Sequence, residues 1–125
     1  MDYAQVPTDV EETLRKICLA LPETHEEQAW NGRRWMIRKR NFAHVLCIDQ
    51  GDDPVISVMF RSDPPELGAL IHAGHPFFKP GWGHNVMCMI IDAKTDWGEV
   101  AELMADSYCI MAPKKLAALV NGSET

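Results

Sequence analysis

Three segments rich in aromatic and branched residues, 34–40, 42–48 and 55–60, follow one another with connections of only a few residues. This constrains the fold more than any other feature. Their composition is that of strands. The polar break Arg40-Asn41 suits a hairpin, and Gln50-Gly51-Asp52-Asp53-Pro54 reads as a strong turn. A parallel crossover needs a dozen or more residues, so the three strands must form an antiparallel meander.

Helix signals frame that meander. Thr8-Asp9-Val10-Glu11 reads as a capping box, followed by an apolar stripe of Val10, Leu14, Ile17 and Leu21 that Pro22 stops. A second box, Asp96-Trp97-Gly98-Glu99, opens a helix whose buried side carries Val100, Leu103, Met104, Tyr108 and Met111. Pro113 suits a fresh first turn, which predicts a short closing helix over 114–120 ended by Asn121-Gly122. Asp63-Pro64-Pro65-Glu66 starts a middle helix reaching about residue 73. A loop from His75 to His84 then precedes a last strand over 85–92. The order α, β-meander, α, β, α predicts one α+β domain over 1–125, with helices packed on an antiparallel sheet.

Composition limits the chemistry. With 46% apolar residues in 125, a core forms without disulfides or metal. Cys18, Cys47, Cys88 and Cys109 include no CxxC pair and sit in apolar-periodic segments, so buried, reduced thiols are expected. Met1-Asp2-Tyr3-Ala4-Gln5 lacks the basic lead of a secretion signal, and no apolar run nears the roughly 18 residues a membrane span needs. A cytoplasmic protein with no membrane partner is expected. The net charge of −6 argues against coating nucleic acid by bulk charge, while leaving room for a local basic patch.

No glycine-rich phosphate loop and no GxSxG elbow occur, and His25-Glu26-Glu27 is not an HExxH. Asp52 and Asp53 belong to a turn. His72, His75 and His84 with Cys88 are the nearest approach to a metal set, but they lack the close ligand pairs of zinc sites. The expectation is a non-enzymatic protein with no catalytic residue, metal or cofactor.

Two features stand out. Arg33, Arg34, Arg38, Lys39 and Arg40 make a segment of charge +5 with no acid between Gln28 and Ile48, while the rest of the chain sums to −11. Arg38 and Arg40 share strand parity, so a hairpin would present them on one face with Lys39 near its tip. Such a ribbon can neutralise phosphates, or it can be a solvated face paired with the acidic first helix and residues 23–27. The second feature is the loop 75–84, where Phe77, Phe78 and Trp82 accompany Lys79 and two prolines. Aromatics beside a cation suit base stacking or a small ligand, and the phenylalanines can equally plug the end of the sheet.

Cys18-Leu19-Ala20-Leu21-Pro22-Glu23-Thr24, then Ala29-Trp30, then the run Trp35-Met36-Ile37-Arg38-Lys39-Arg40-Asn41-Phe42-Ala43-His44-Val45 resemble the front half of MmcQ/YjbR-like proteins. Gly81-Trp82, Asp96-Trp97-Gly98-Glu99-Val100-Ala101-Glu102-Leu103, Ser107-Tyr108 and Ala112-Pro113-Lys114-Lys115-Leu116 are similar to the back half, so the resemblance spans about 13–120. It implies a small α+β domain with a curved antiparallel sheet, an N-terminal helix, a middle helix and a C-terminal helical segment. It also implies DNA binding through two hairpin-like wings and carries no agreed catalytic residues. By position, one wing is the hairpin 35–45 and the other the loop and strand around 78–89.

Together these readings predict a DNA-binding domain using Arg33, Arg34, Arg38, Lys39, Arg40, Lys79, Trp82 and His84. The alternative is a small-molecule or protein-binding module in which the loop 77–84 closes over a concave sheet.

Overall fold

The computed structural model describes residues 2–3, 5–50 and 53–121. Along the chain run β1 (Asp2–Tyr3), α1 (Thr8–Leu19), β2 (Thr24–Gln28), β3 (Arg33–Ile37), β4 (Arg40–Gln50) and β5 (Asp53–Arg61). They are followed by α2 (Glu66–Ala73), β6 (Phe77–Phe78), β7 (Val86–Ile91), α3 (Trp97–Met111) and α4 (Lys114–Asn121). All seven strands join one sheet in the order β2-β3-β4-β5-β7-β6, with β1 paired to β4, and every pairing is antiparallel. The meander and the α+β class follow the short connections and the alternation of apolar patterns.

The β3–β4 turn lies at Arg38-Lys39, two residues before the expected break, because Ile37 pairs with Arg40. Arg38 adopts φ 57°, a left-handed conformation that suits a tight turn and strains a residue with a Cβ. Arg38 therefore belongs to the turn and Arg40 to the next strand, so strand parity does not set them on one face. A register shift opposite Trp35 and Met36 inserts Phe42 as a bulge, which bends β4. The expected turn at Gly51-Asp52 lies outside the described residues, between the paired Gln50 and Asp53.

Pairing in register divides the sheet into two faces. On one, Trp35, Val45, Val58, Phe60, Met87 and Met89 build the main core. The helices cover it with Val10, Leu14 and Cys18 from α1, Val100, Met104 and Tyr108 from α3, and Leu116 from α4, while Leu67 and Leu70 of α2 pack at its margin. Tyr108 meets Phe42 edge-on at 5.6 Å, and its hydroxyl donates to the Pro22 carbonyl at 2.7 Å. The opposite face carries Leu46, Ser57 and the small cluster Met59, Val86 and Cys88.

Asp96 caps α3 as its box predicts, accepting from the amides of Gly98 (3.0 Å) and Glu99 (3.2 Å). The box at Thr8 does not form. Thr8 is already helical, Pro7 occupies the N-cap without a side-chain bond, and the Glu11 amide donates to the Pro7 carbonyl. Gly122, the expected stop of α4, lies outside the described residues.

Gly32 closes the β2–β3 connection at φ 75°, where a Cβ would stand 1.8 Å from the Val45 carbonyl oxygen. Gly32→Ala is expected to cost about 2–4 kcal/mol, through the left-handed backbone and this collision with main chain. Urea unfolding of the two proteins measures it.

Candidate functional site

The acidic segment 23–27 lies mostly in the strand β2, and it meets the basic segment in register. Glu26 lies opposite Trp35 and Glu27 opposite Arg34. The Glu26 carboxylate accepts both prongs of the Arg15 guanidinium from α1, at 2.8 and 3.0 Å, and the Trp35 indole N–H at 3.0 Å. Arg33 adds an ion pair at 3.4 Å. The hydrogen bond from Arg15 is the main cause that holds this carboxyl below its ordinary value. Partial burial opposes it, and Trp35 and the charges of Arg15 and Arg33 assist.

Arg34 donates to Glu27 at 2.9 and 3.2 Å on the other face of the sheet, where His25 also approaches Glu27 at 3.4 Å. Arg38 reaches Glu23 at 3.5 Å, both side chains being well exposed. Three of the five predicted cations, Arg33, Arg34 and Arg38, are therefore engaged by the acids of 23–27, and Arg33 and Arg34 point to opposite faces. Of the two readings of this segment, pairing with residues 23–27 holds for these three, and they do not form one unmasked face along the hairpin.

Lys39 and Arg40 have no ion pair among the described residues. Arg40 and Arg38 border a groove of about 260 Å³ whose other wall is Met111, Ala112 and Pro113, at the α3–α4 junction. Lys114 and Lys115 follow at once, both exposed and likewise without an ion pair among the described residues. The cationic patch is thus made by two distant segments. Lys114 and Lys115 were not among the predicted cations; the sequence marked them by their position after a helix-starting proline and within the Ala112–Leu116 run.

Residues 79–84, the part of the loop after β6, rise from the same end of the sheet, since Arg61 at the end of β5 pairs with Val86 at the start of β7. Arg61 ties the two projections together, donating to the Asn41 carbonyl at 3.2 Å and to Asn85 Oδ1 at 3.4 Å. Two strand spacings, about 10 Å, separate the start of β4 from that of β7. Trp82 is 56% exposed, and His84 is exposed as well. Lys79 turns back onto its own loop, donating to the carbonyls of Pro80 and Gly83.

Other chemistry is muted. Burial pushes the Cys18 thiol far up and the Cys88 thiol to about 12, so neither is a thiolate near neutrality. No disulfide joins any of the cysteines among the described residues. His44 Nε2 lies 2.8 Å from the Asn31 carbonyl, which can only accept, so Nε2 bears the proton. Burial is the first cause lowering its pKa. A cavity of about 410 Å³ between β5, α2 and α3 is lined in part by Asp63, Glu66 and Asp106. Burial, then the charges of Glu66 and Glu102, raise the pKa of Asp106. Among the described residues, no three His, Cys, Asp or Glu side chains converge on a metal position, and no helix is long and apolar enough to cross a membrane.

The YjbR family model matches residues 19–110, which takes in the acidic strand, both projections and most of α3. The chain belongs to the YjbR family. Its fold is similar to the crystal structure of Deinococcus radiodurans protein DR2400, a DUF419 domain, with a TM-score of 0.61 at 18% identity. That likeness covers 86% of this chain and 85% of the other. No curated protein matches the chain. The YjbR match begins within the last turn of α1 and ends before α4, so Lys114 and Lys115 fall outside it.

In this YjbR domain the Glu26 cluster makes stability depend on pH. Its folded-state pKa lies below the unfolded one, so the contribution is present above the ordinary carboxylate range and is lost as pH falls toward the depressed value. Glu26→Gln should lose about 1–3 kcal/mol at pH 7 and flatten the acid limb of a thermal-stability profile between pH 5 and about 3.

Proposed function

We propose that this YjbR domain is a non-enzymatic DNA-binding domain that grips phosphates at the end of the sheet where the β3–β4 turn meets the α3–α4 junction. One observation carries the reading. Arg40 lines one groove with Met111, Ala112 and Pro113, its chain neighbour Lys39 and the exposed Lys114 and Lys115 next to Pro113 are adjacent in sequence to that lining, and no carboxylate pairs with these four cations among the described residues. On a chain of net charge −6, such a local cluster draws a polyanion to one end and repels it elsewhere. Trp82 and His84, projecting from the same end, offer stacking and hydrogen bonding to an unpaired base. Arg38 can leave its exposed partner Glu23 at little cost, because solvent screens that pair. Arg33 and Arg34 hold the sheet edge together in this reading, and Lys79 shapes the loop.

Fluorescence anisotropy with labelled single-stranded and duplex DNA at low salt tests it. Four phosphate contacts predict a log–log salt slope of about 3–4. Changing Lys39, Arg40, Lys114 and Lys115 to Ala should abolish binding uniformly across sequences, as loss of phosphate contacts does. Arg34→Ala should leave affinity within about two-fold, because that side chain is already committed to Glu27. No binding at tens of micromolar protein, or equal sensitivity to Arg34→Ala, would sink the reading.

A further inference from the structure

The face of the sheet turned away from the helices holds a buried hydroxyl with nothing to bond. Ser57, in the middle of β5, is 1% exposed, and its Oγ has no hydrogen-bond partner among the described residues. A buried hydroxyl left in that condition destabilises the fold by about 1–3 kcal/mol. The register shows what surrounds it. Ser57 lies opposite Ile90 of β7, Val55 is two residues away on the same face opposite Ile48, and Phe78 lies opposite Cys88, two residues from Ile90. Ser57, Ile48, Val55, Phe78 and Ile90, joined by His75 and Phe77, line a cavity of about 380 Å³.

The lining selects one class of occupant. No Asp, Glu, Lys or Arg takes part and His75 is the one ionisable side chain, so a charged head would find no carboxylate, ammonium or guanidinium partner among mostly apolar walls. The volume is within the range of small-molecule sites, and the aromatic ring of Phe78, opposite Cys88 on this face, provides a flat surface for a ring system. One polar atom of an occupant would satisfy the hydroxyl that the protein leaves unpartnered once the side chains covering Ser57 shift aside, because the Oγ has no open surface of its own. The site is also remote from the cationic groove. Eight residues of β4 separate Arg40 from Ile48, about 26 Å of strand.

We propose that this cavity binds an uncharged, largely apolar small molecule of fused-ring size that hydrogen-bonds Ser57 Oγ, independently of any contact with nucleic acid.

The probe is 1-naphthol, uncharged at pH 7, titrated into the full chain and followed by amide chemical shifts. Saturable shifts are expected at Ile48, Val55, Ser57, Phe78 and Ile90. Ser57→Ala should weaken 1-naphthol roughly three- to ten-fold, the effect of one neutral hydrogen bond. It should leave 1-methylnaphthalene unchanged, because that ligand has no hydroxyl to offer. Ser57→Ala removes only an unpartnered group, so it should melt no lower than the parent protein. Val55→Trp, which fills the cavity, should abolish both ligands. Lys39→Ala with Arg40→Ala should affect neither. The proposal is overturned if no saturable shift occurs at these amides, if the shifts cluster instead around Asp106, or if 1-naphthol binds the parent and Ser57→Ala equally.

Discussion

The carboxylate of Glu26 is the junction on which the edge of this sheet depends. Thr24–Gln28 is a polar strand with no apolar alternation, and neither hydrophobic burial nor β-propensity recruits it. It joins because Trp35, fully buried on β3, needs an acceptor for its indole N–H, and the residue directly opposite supplies one. The same carboxylate takes the fork of Arg15, which fastens α1 over the core. A charge in that half-buried position is tolerated because cations and a donor surround it.

This arrangement redistributes the positive charge of the hairpin. In the sequence the five cations form one block, but in space the acids of 23–27 engage Arg33 and Arg34 on β3 and Arg38 in the turn, and leave Lys39 and Arg40. What remains is completed by Lys114 and Lys115, some seventy residues later. The net effect is to concentrate free positive charge at one end of the sheet, beside the loop that carries Trp82.

Much of the architecture was legible because it rests on local rules. The meander follows from short connections, α3 from its Asp96 cap, and α4 from Pro113. The pieces that escaped are those fixed by tertiary partners. β2 shows no strand signal of its own until Trp35 and Arg34 are set opposite it, and β6 spans only two residues held against β7. The hairpin turn slipped by two positions because Arg38 adopts a backbone angle that favours glycine, asparagine or aspartate. At the candidate site, the block of cations was evident, whereas its partial neutralisation required the register. Ser57 gave no signal, since one serine in an apolar strand does not reveal whether its hydroxyl finds a partner.

The polar character of β2 has a further effect on how copies of the molecule meet. A sheet that ends on an apolar strand invites another chain to continue the hydrogen-bonded ladder. Here the outermost strand presents His25 and Glu27 near its rim, with Arg34 just inside. A second copy docking edge to edge would have to strip water from these charged groups or set like charges against one another. The feature that makes β2 inconspicuous in the sequence thus also guards this border against aggregation.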